Sequence, residues 1–233
     1  MTLLRILYQD DFLVAIDKPA GMIVHPGREV EGPEWIAMKR LRDQLDRQVF
    51  PAHRLDRPTS GVLLFALDKQ AAALAQQAFE LRKVVKTYHA IVCGNAPETW
   101  ICETPLRSQP GDALLAAKTS FKRLAVTSEA SFTADPTLTL SLLEVIPATG
   151  RFHQIRRHLL EAGFLIVGDF RYAGMERSHA LGETLGTGTR MLLQSKILEL
   201  PHPLTGAWLK IEAPPDPDFA RCFPESDAGK AWH

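Results

Sequence analysis

Asp56 stands between two arginines in the run His53-Arg54-Leu55-Asp56-Arg57-Pro58-Thr59-Ser60-Gly61, just ahead of the unbroken apolar stretch Val62–Leu67. Pro58 and Gly61 punctuate the backbone there. That sets Asp56 on a turn at a strand edge, where a side chain can face a cleft. Cations at positions 54 and 57 favour the ionised carboxylate, the form that a nucleophile or base needs at neutral pH. The plainer account is a turn aspartate solvated beside surface arginines.

A second segment, Thr149-Gly150-Arg151-Phe152-His153-Gln154-Ile155-Arg156-Arg157-His158, holds three arginines and no acid. Thr149 is placed to cap a helix, and Arg156 then falls beside the apolar stripe near its start. A cation there can reach a buried carboxylate; the plainer account is a basic helix face in water. In Lys86-Thr87-Tyr88-His89-Ala90, Tyr88 lies on a strand pattern. It is either sheet filler or an aromatic platform for an unpaired base. His153 and His158 are five apart and no His-Glu-x-x-His pattern occurs, so no metal is expected.

The elements around these segments read as follows. Leu3–Tyr8 and Phe12–Asp17 form a hairpin across Gln9-Asp10-Asp11, and Lys18-Pro19-Ala20-Gly21 ends it. Trp35–Gln48 carries Met38, Leu41 and Leu45 at helical spacing. Val62–Leu67 is a strand covered on both faces. Asp68 caps the following helix, whose inner stripe is Ala71, Leu74, Ala75 and Ala78. Lys86–Val92 is another strand. Thr137–Leu142 alternates strictly, as a half-buried strand does. Phe152, Ile155, Leu159 and Ala162 share a helix face that Gly163 terminates. Gly168–Gly188 is glycine-rich and reads as loop. Strands near Met191–Leu200 and Ala207–Glu212 flank a turn at 202–206. Strands outnumber helices without βαβ alternation, so the fold class is α+β.

Composition sets wide bounds. The 233 residues are 45% hydrophobic, enough for one domain, or one domain with two lobes, with a full core. No window approaches the roughly 18 apolar residues of a membrane span, and the N-terminus lacks a signal-peptide pattern. A cytoplasmic protein is expected. Cys93, Cys102 and Cys222 are odd in number and share no metal-ligand spacing, which fits reduced structural thiols. The 27 basic residues balance 27 acids, yet 151–158 is locally basic while 216–227 holds four acids. The expected layout is a catalytic domain over 1–215 and a flexible acidic tail over 216–233.

Taken together and in order, these segments resemble the RluA family of pseudouridine synthases, across about residues 3 to 212. The resemblance rests on HRLDRPTSG, KTYHA, GRFHQIRRH, the opening VAIDKPAG, and Leu193 with His202-Pro203-Leu204-Thr205-Gly206. It implies a central, mostly antiparallel mixed sheet with flanking helices and a catalytic cleft. It also implies roles: Asp56 the catalytic aspartate, Tyr88 the ring against the target base, and Arg156 the arginine paired with the aspartate. Leu193 would line the uracil pocket, and Arg54 would enter the stack vacated by a flipped nucleotide.

The runs ILYQDDFLVAIDKPAG and VFPAHRLDRPTSGVLLFAL most resemble the tRNA-modifying branch of the family, whose target is uridine 65. Ribosomal RNA is the alternative substrate. No S4-like N-terminal domain is expected, since the family pattern begins at residue 3.

Isomerising uridine breaks N1–C1′, turns the base and rejoins it through C5, with no redox change, so no cofactor is implied. The target must be extruded from the stack at a cost of a few kcal/mol. Asp56 would attack C1′, remove a C2′ proton, or add to C6. RNA affinity would come from phosphate contacts by Arg54, Arg57, Arg151 and Arg157, and would weaken with salt. The protein is taken to act as a monomer. Two other readings are weaker. A pure RNA-binding module gains nothing from a carboxylate facing phosphates, and a phosphotransferase would need a glycine-rich phosphate loop that is missing.

Overall fold

Asp10 makes the first turn of the chain. Its Oδ1 accepts from the Phe12 and Leu13 N–H groups at 2.8 and 2.7 Å, so β1 (Ile6–Gln9) folds back onto β2 (Leu13–Lys18) as an antiparallel hairpin. The computed structural model describes residues 3–26, 32–109, 111–127 and 138–223. Within these it holds ten β-strands and six α-helices, and the pairings given below are antiparallel. The α+β expectation holds. The chain divides into two compact units, each discontinuous in sequence.

The first unit takes residues 1–86 and then 195–214. Its sheet is built on β4 (Ser60–Ala66), every residue of which is buried. β2 pairs with it from Leu13↔Ala66 to Lys18↔Gly61, and the short β3 (Phe50–Pro51) pairs with Phe65 and Ala66. β9 (Leu193–Pro201) neighbours β4 and carries β10 (Trp208–Glu212). A strand covered on both faces reads as a continuous apolar run, which is why Val62–Leu67 was legible.

Gly61 lies between the turn and this strand at φ +99°. A methyl group there would drive into the Ser195 carbonyl oxygen. Only glycine allows both the conformation and the approach. Helix α2 (Lys69–Glu80) starts where expected: Asp68 Oδ1 accepts from Ala71 N–H at 2.7 Å. Its alanines 71, 72 and 75 pack in one core with Val62, Leu64 and Leu198. Helix α1 (Ala37–Leu45) is shorter than the 35–48 pattern and buries Ala37 and Leu41; Trp35 falls in a preceding 3-10 turn.

The second unit takes residues 87–194 and 215 onward. Here β5 (Val85–Cys93), β8 (Leu140–Pro147), β7 (Thr119–Val126) and β6 (Thr99–Cys102) follow one another across the sheet. The half-buried strand expected over 137–142 begins at Leu140 instead; Thr137 lies outside the described residues. It is also buried on both faces. Leu143 and Val145 join one core with Ala90, Ile155 and Leu159, while Leu140 and Leu142 join another with Ile91 and Phe219. Buried Ser141 fits because its hydroxyl donates to the Gly94 carbonyl and accepts from Ala96 N–H.

Two sequence expectations are corrected in this unit. Gly168–Gly188 is not loop: it contains α4 (Phe170–Ala173) and α5 (Met175–Leu185). Its glycines mark mostly ends, with Gly174 at φ +85° between the helices and Gly186 in the left-handed conformation at the C-cap. The tail is not free throughout either. Asp216 caps α6 (Pro217–Cys222), and Phe219 and Cys222 are buried in the second core; residues 224–233 lie outside the described set.

Candidate active site

The Asp56 turn belongs to the first unit, between β3 and β4. Its floor is Lys18, a side chain with no exposed surface. The ammonium donates to the carbonyls of Met22 at 2.7 Å, Pro19 at 2.9 Å and Arg57 at 3.2 Å. One buried cation therefore ties the Lys18-Pro19-Ala20-Gly21 bend to the residue after Asp56. A buried charge is costly unless it is so satisfied. Gly21 and Arg57 reinforce the seam: Gly21 N–H donates to the Arg57 carbonyl at 2.8 Å, and Arg57 Nε donates to the Gly21 carbonyl at 3.1 Å. Thr59 N–H donates to the Asp56 carbonyl at 3.1 Å and closes the turn.

His53 anchors the other end of the turn. Its Nε2 accepts from Leu64 N–H at 3.1 Å, and its ring stacks on Phe79 with centroids 4.9 Å apart. Burial, and next the nearby Lys86 cation, push its pKa down to about 3. It is a neutral structural peg. The result is a half-buried Asp56 flanked by the exposed side chains of Arg54 and Arg57, on a loop whose backbone is held at both ends.

The second unit carries Tyr88, Arg156, Leu193 and Arg151. Tyr88 sits on β5 opposite Val145 of β8. It packs on the core that contains Leu193, Ile155 and Leu159, and Leu193 is itself buried. Arg156 projects from α3 (Gln154–Glu161) and is 5% exposed. Its Nε and Nη2 each donate to one oxygen of Asp169 at 2.7 Å, a two-pronged pair with an acid 2% exposed. Nη1 meets His153 Nε2 at 3.2 Å, and the guanidinium carbon lies 5.0 Å from the Tyr172 ring centroid. Asp169 stands where an N-cap of α4 would, yet its carboxylate does not cap that helix. Both oxygens serve Arg156.

The helix start differs from the expectation. Thr149 does not cap it. The N-cap is His153, and α3 begins at Gln154. Gln154 takes over the capping work: its Oε1 accepts from the Thr149 hydroxyl at 2.6 Å and Arg151 N–H at 3.0 Å. Its Nε2 donates to the Lys118 carbonyl at 3.0 Å and Thr119 Oγ1 at 2.9 Å. Thr119 meets His158 Nδ1 at 2.9 Å, and His158 Nε2 donates to the Thr104 carbonyl at 3.0 Å. The buried polar side of the helix is thus satisfied.

Arg151 and Arg157 are partly used in holding the chain at residues 107 and 116. Arg151 Nε donates to the Ala116 carbonyl at 3.1 Å, and Arg157 Nη1 donates to the Arg107 carbonyl at 2.6 Å. Sequence reasoning passed over Asp169, Tyr172 and the role of Lys18, and weighed His153 only as a metal ligand. An aspartate one glycine beyond the apolar Ile166-Val167 was a usable signal, because a buried acid needs a cation.

Residues 12–161 fit the model for RNA pseudouridylate synthase, and this chain belongs to that family. It is 39% identical over 241 residues to the tRNA pseudouridine synthase C of Haemophilus ducreyi, covering 99% of this chain and 97% of that one. The tRNA pseudouridine synthase C of Salmonella typhimurium is also 39% identical, over 91% of this chain and 85% of its own. Among solved structures, the human RNA Pseudouridylate Synthase Domain Containing 4 superposes with a TM-score of 0.72 at 25% identity, covering 94% of this chain and 92% of that chain. Among the described residues no helix is long and apolar enough to cross a membrane, and no cluster of metal-ligating side chains occurs.

Proposed function

We propose that this enzyme converts a uridine of tRNA to pseudouridine, and that the uridine is the one at position 65. The names carried by full-length relatives at 39% identity support tRNA as the substrate. The resemblance in the opening and HRLD segments supports the position. Asp56 is the carboxylate that acts on the ribose, and Arg156 is the cation that serves the reaction. Tyr88 and Leu193 receive the uracil ring. Arg54, Arg57 and Arg151 meet the RNA, with Arg54 filling the gap left by the extruded nucleotide. The cell compartment is the cytoplasm, in keeping with three cysteines that are free thiols.

The reaction is a balanced rearrangement. The N1–C1′ bond breaks, C5 of the turned base bonds to C1′, and the proton lost from C5 is matched by one gained at N1. Asp56 contributes by adding to C1′ or by taking the C2′ proton. The observation that carries this reading is the brace under Asp56: three carbonyls on one buried ammonium hold the turn that presents it. Preorganisation of that kind is worth most where a reacting group must not move.

Release of tritium from tRNA labelled at C5 of uridine measures turnover directly. Asp56→Asn should lower it by about a thousandfold or more, while RNA binding persists. Wild-type release from the Asp56→Asn protein would overturn the assignment. Wild-type release from a tRNA with cytidine at 65 would overturn the position alone.

A further inference from the structure

His153 occupies backbone that few side chains accept. At φ 52° and ψ 30° it sits in the left-handed region at the N-cap of α3, with no side-chain capping bond. A residue other than glycine persists there only where its surroundings hold it, and such residues gather at functional sites. The ring is held on several sides. Phe152 stacks on it with centroids 3.8 Å apart, and Tyr172 meets it edge-on at 5.8 Å.

The hydrogen bonds settle its tautomer. Arginine can only donate, so His153 Nε2, 3.2 Å from Arg156 Nη1, is the acceptor. The ring proton is then on Nδ1 and is donated to the Tyr172 oxygen at 3.1 Å. The Tyr172 ring in turn lies under the Arg156 guanidinium. Charged and titratable groups around the ring include Arg156 on α3, Tyr172 on α4, Asp169 ahead of α4 across Arg156, and Arg171 over the Phe152 ring. A second proton on the imidazole would turn the accepting nitrogen into a donor aimed at a guanidinium.

We propose that neutral His153 is a positioning residue for Arg156: it orients the Nη1 end of the guanidinium while Asp169 grips the Nε–Nη2 edge, and protonation releases that end. The inference rests on the reading that Arg156 serves the reaction. It predicts that turnover falls on the acid side because the orienting bond is lost, with RNA binding unchanged.

The test uses the whole chain, the tritium assay, and pH from 5.5 to 8.5. His153→Asn tolerates left-handed backbone but cannot reach Arg156. His153→Gln can place an amide oxygen near the Nε2 position and does not titrate. Expected for His153→Asn is a kcat about ten- to a hundredfold lower, with KM for tRNA and melting temperature near wild type. His153→Gln should recover most of that loss and lack the acid-side decline of the wild type. An unchanged kcat in His153→Asn, or an acid limb that survives in His153→Gln, overturns the proposal. Should His153→Asn fail to fold, the pH profile of His153→Gln decides alone. Arg156→Leu runs alongside: wild-type turnover in it defeats the reading of Arg156 itself. A dead Arg156→Leu with a fully active His153→Asn defeats only the role of His153.

Discussion

The Asp56 turn and the Arg156 helix start solve the same problem by different means. In the first unit the turn that carries Asp56 is placed by fixing main chain: Lys18 binds three carbonyls and Gly21 exchanges bonds with Arg57. In the second, a cation is placed by side chains that grip its own donors: Asp169 at two nitrogens, His153 at the third, Tyr172 against its face. This support of the Asp56 turn runs through the backbone. An arginine has five N–H groups and can give three to a scaffold. The chemistry of each group dictates which kind of support it can accept.

If that contrast is right, the largest effect should come from breaking the side-chain grip. Asp169→Asn leaves Arg156 buried without its anion, a change that costs about 3–5 kcal/mol in such pairs. Urea unfolding should report it, and tRNA turnover should fall with it. A shift below 1 kcal/mol would show that the pair is not the main support of Arg156.

Next is the backbone brace. Lys18→Met keeps the length of the side chain and strands three carbonyls, at a cost of about 2–3 kcal/mol. Turnover should fall more steeply than tRNA affinity, because the loop that slackens carries Asp56. Equal losses in both would argue that Lys18 supports the fold in general and not this turn.

A smaller, pH-dependent effect separates His53 from its neighbour. Burial, and next the charge of Arg82, hold the Lys86 ammonium down to about 8 from its ordinary 10.5. Its folded value lies below its unfolded one, so the unfolded chain takes up the proton first as pH falls. Stability is therefore lost as pH drops from 10.5 to 8 and regained as it rises. Lys86→Met should remove that slope: the wild type should gain on the variant between pH 8 and 10.5. Parallel urea midpoints across that window would contradict it.

Local signals in the sequence were reliable where one or two neighbours decide the structure. The Asp68 cap, the Asp10 turn, the buried run of β4 and the end of α3 before Gly163 all follow from short-range chemistry. The helices at 170–185 did not, because five glycines between 168 and 188 read as loop. Four of them hold positive φ at element boundaries, while Gly182 sits inside α5 where the Gly188 backbone presses on it. Strands β6 and β7 went unread, since few apolar residues, among them Trp100 and Phe121 stacked 4.5 Å apart, mark their shared core face. Asp56, Tyr88, Arg156 and Leu193 were legible as candidates through their motifs. The residues that orient Arg156 were not, because nothing local says that Asp169 spends its oxygens on a helix thirteen residues earlier.

Gly61 carries a consequence for synthesis. The strand that crowds it, at Ser195, is made long after the turn it abuts. Contacts so far apart in sequence form late, once the intervening chain exists. A ribosome-bound polypeptide that ends before β9 holds every atom of the HRLD motif but lacks the wall behind it. The enzyme should thus emerge inert, and switch on only when its last strands leave the exit tunnel and dock.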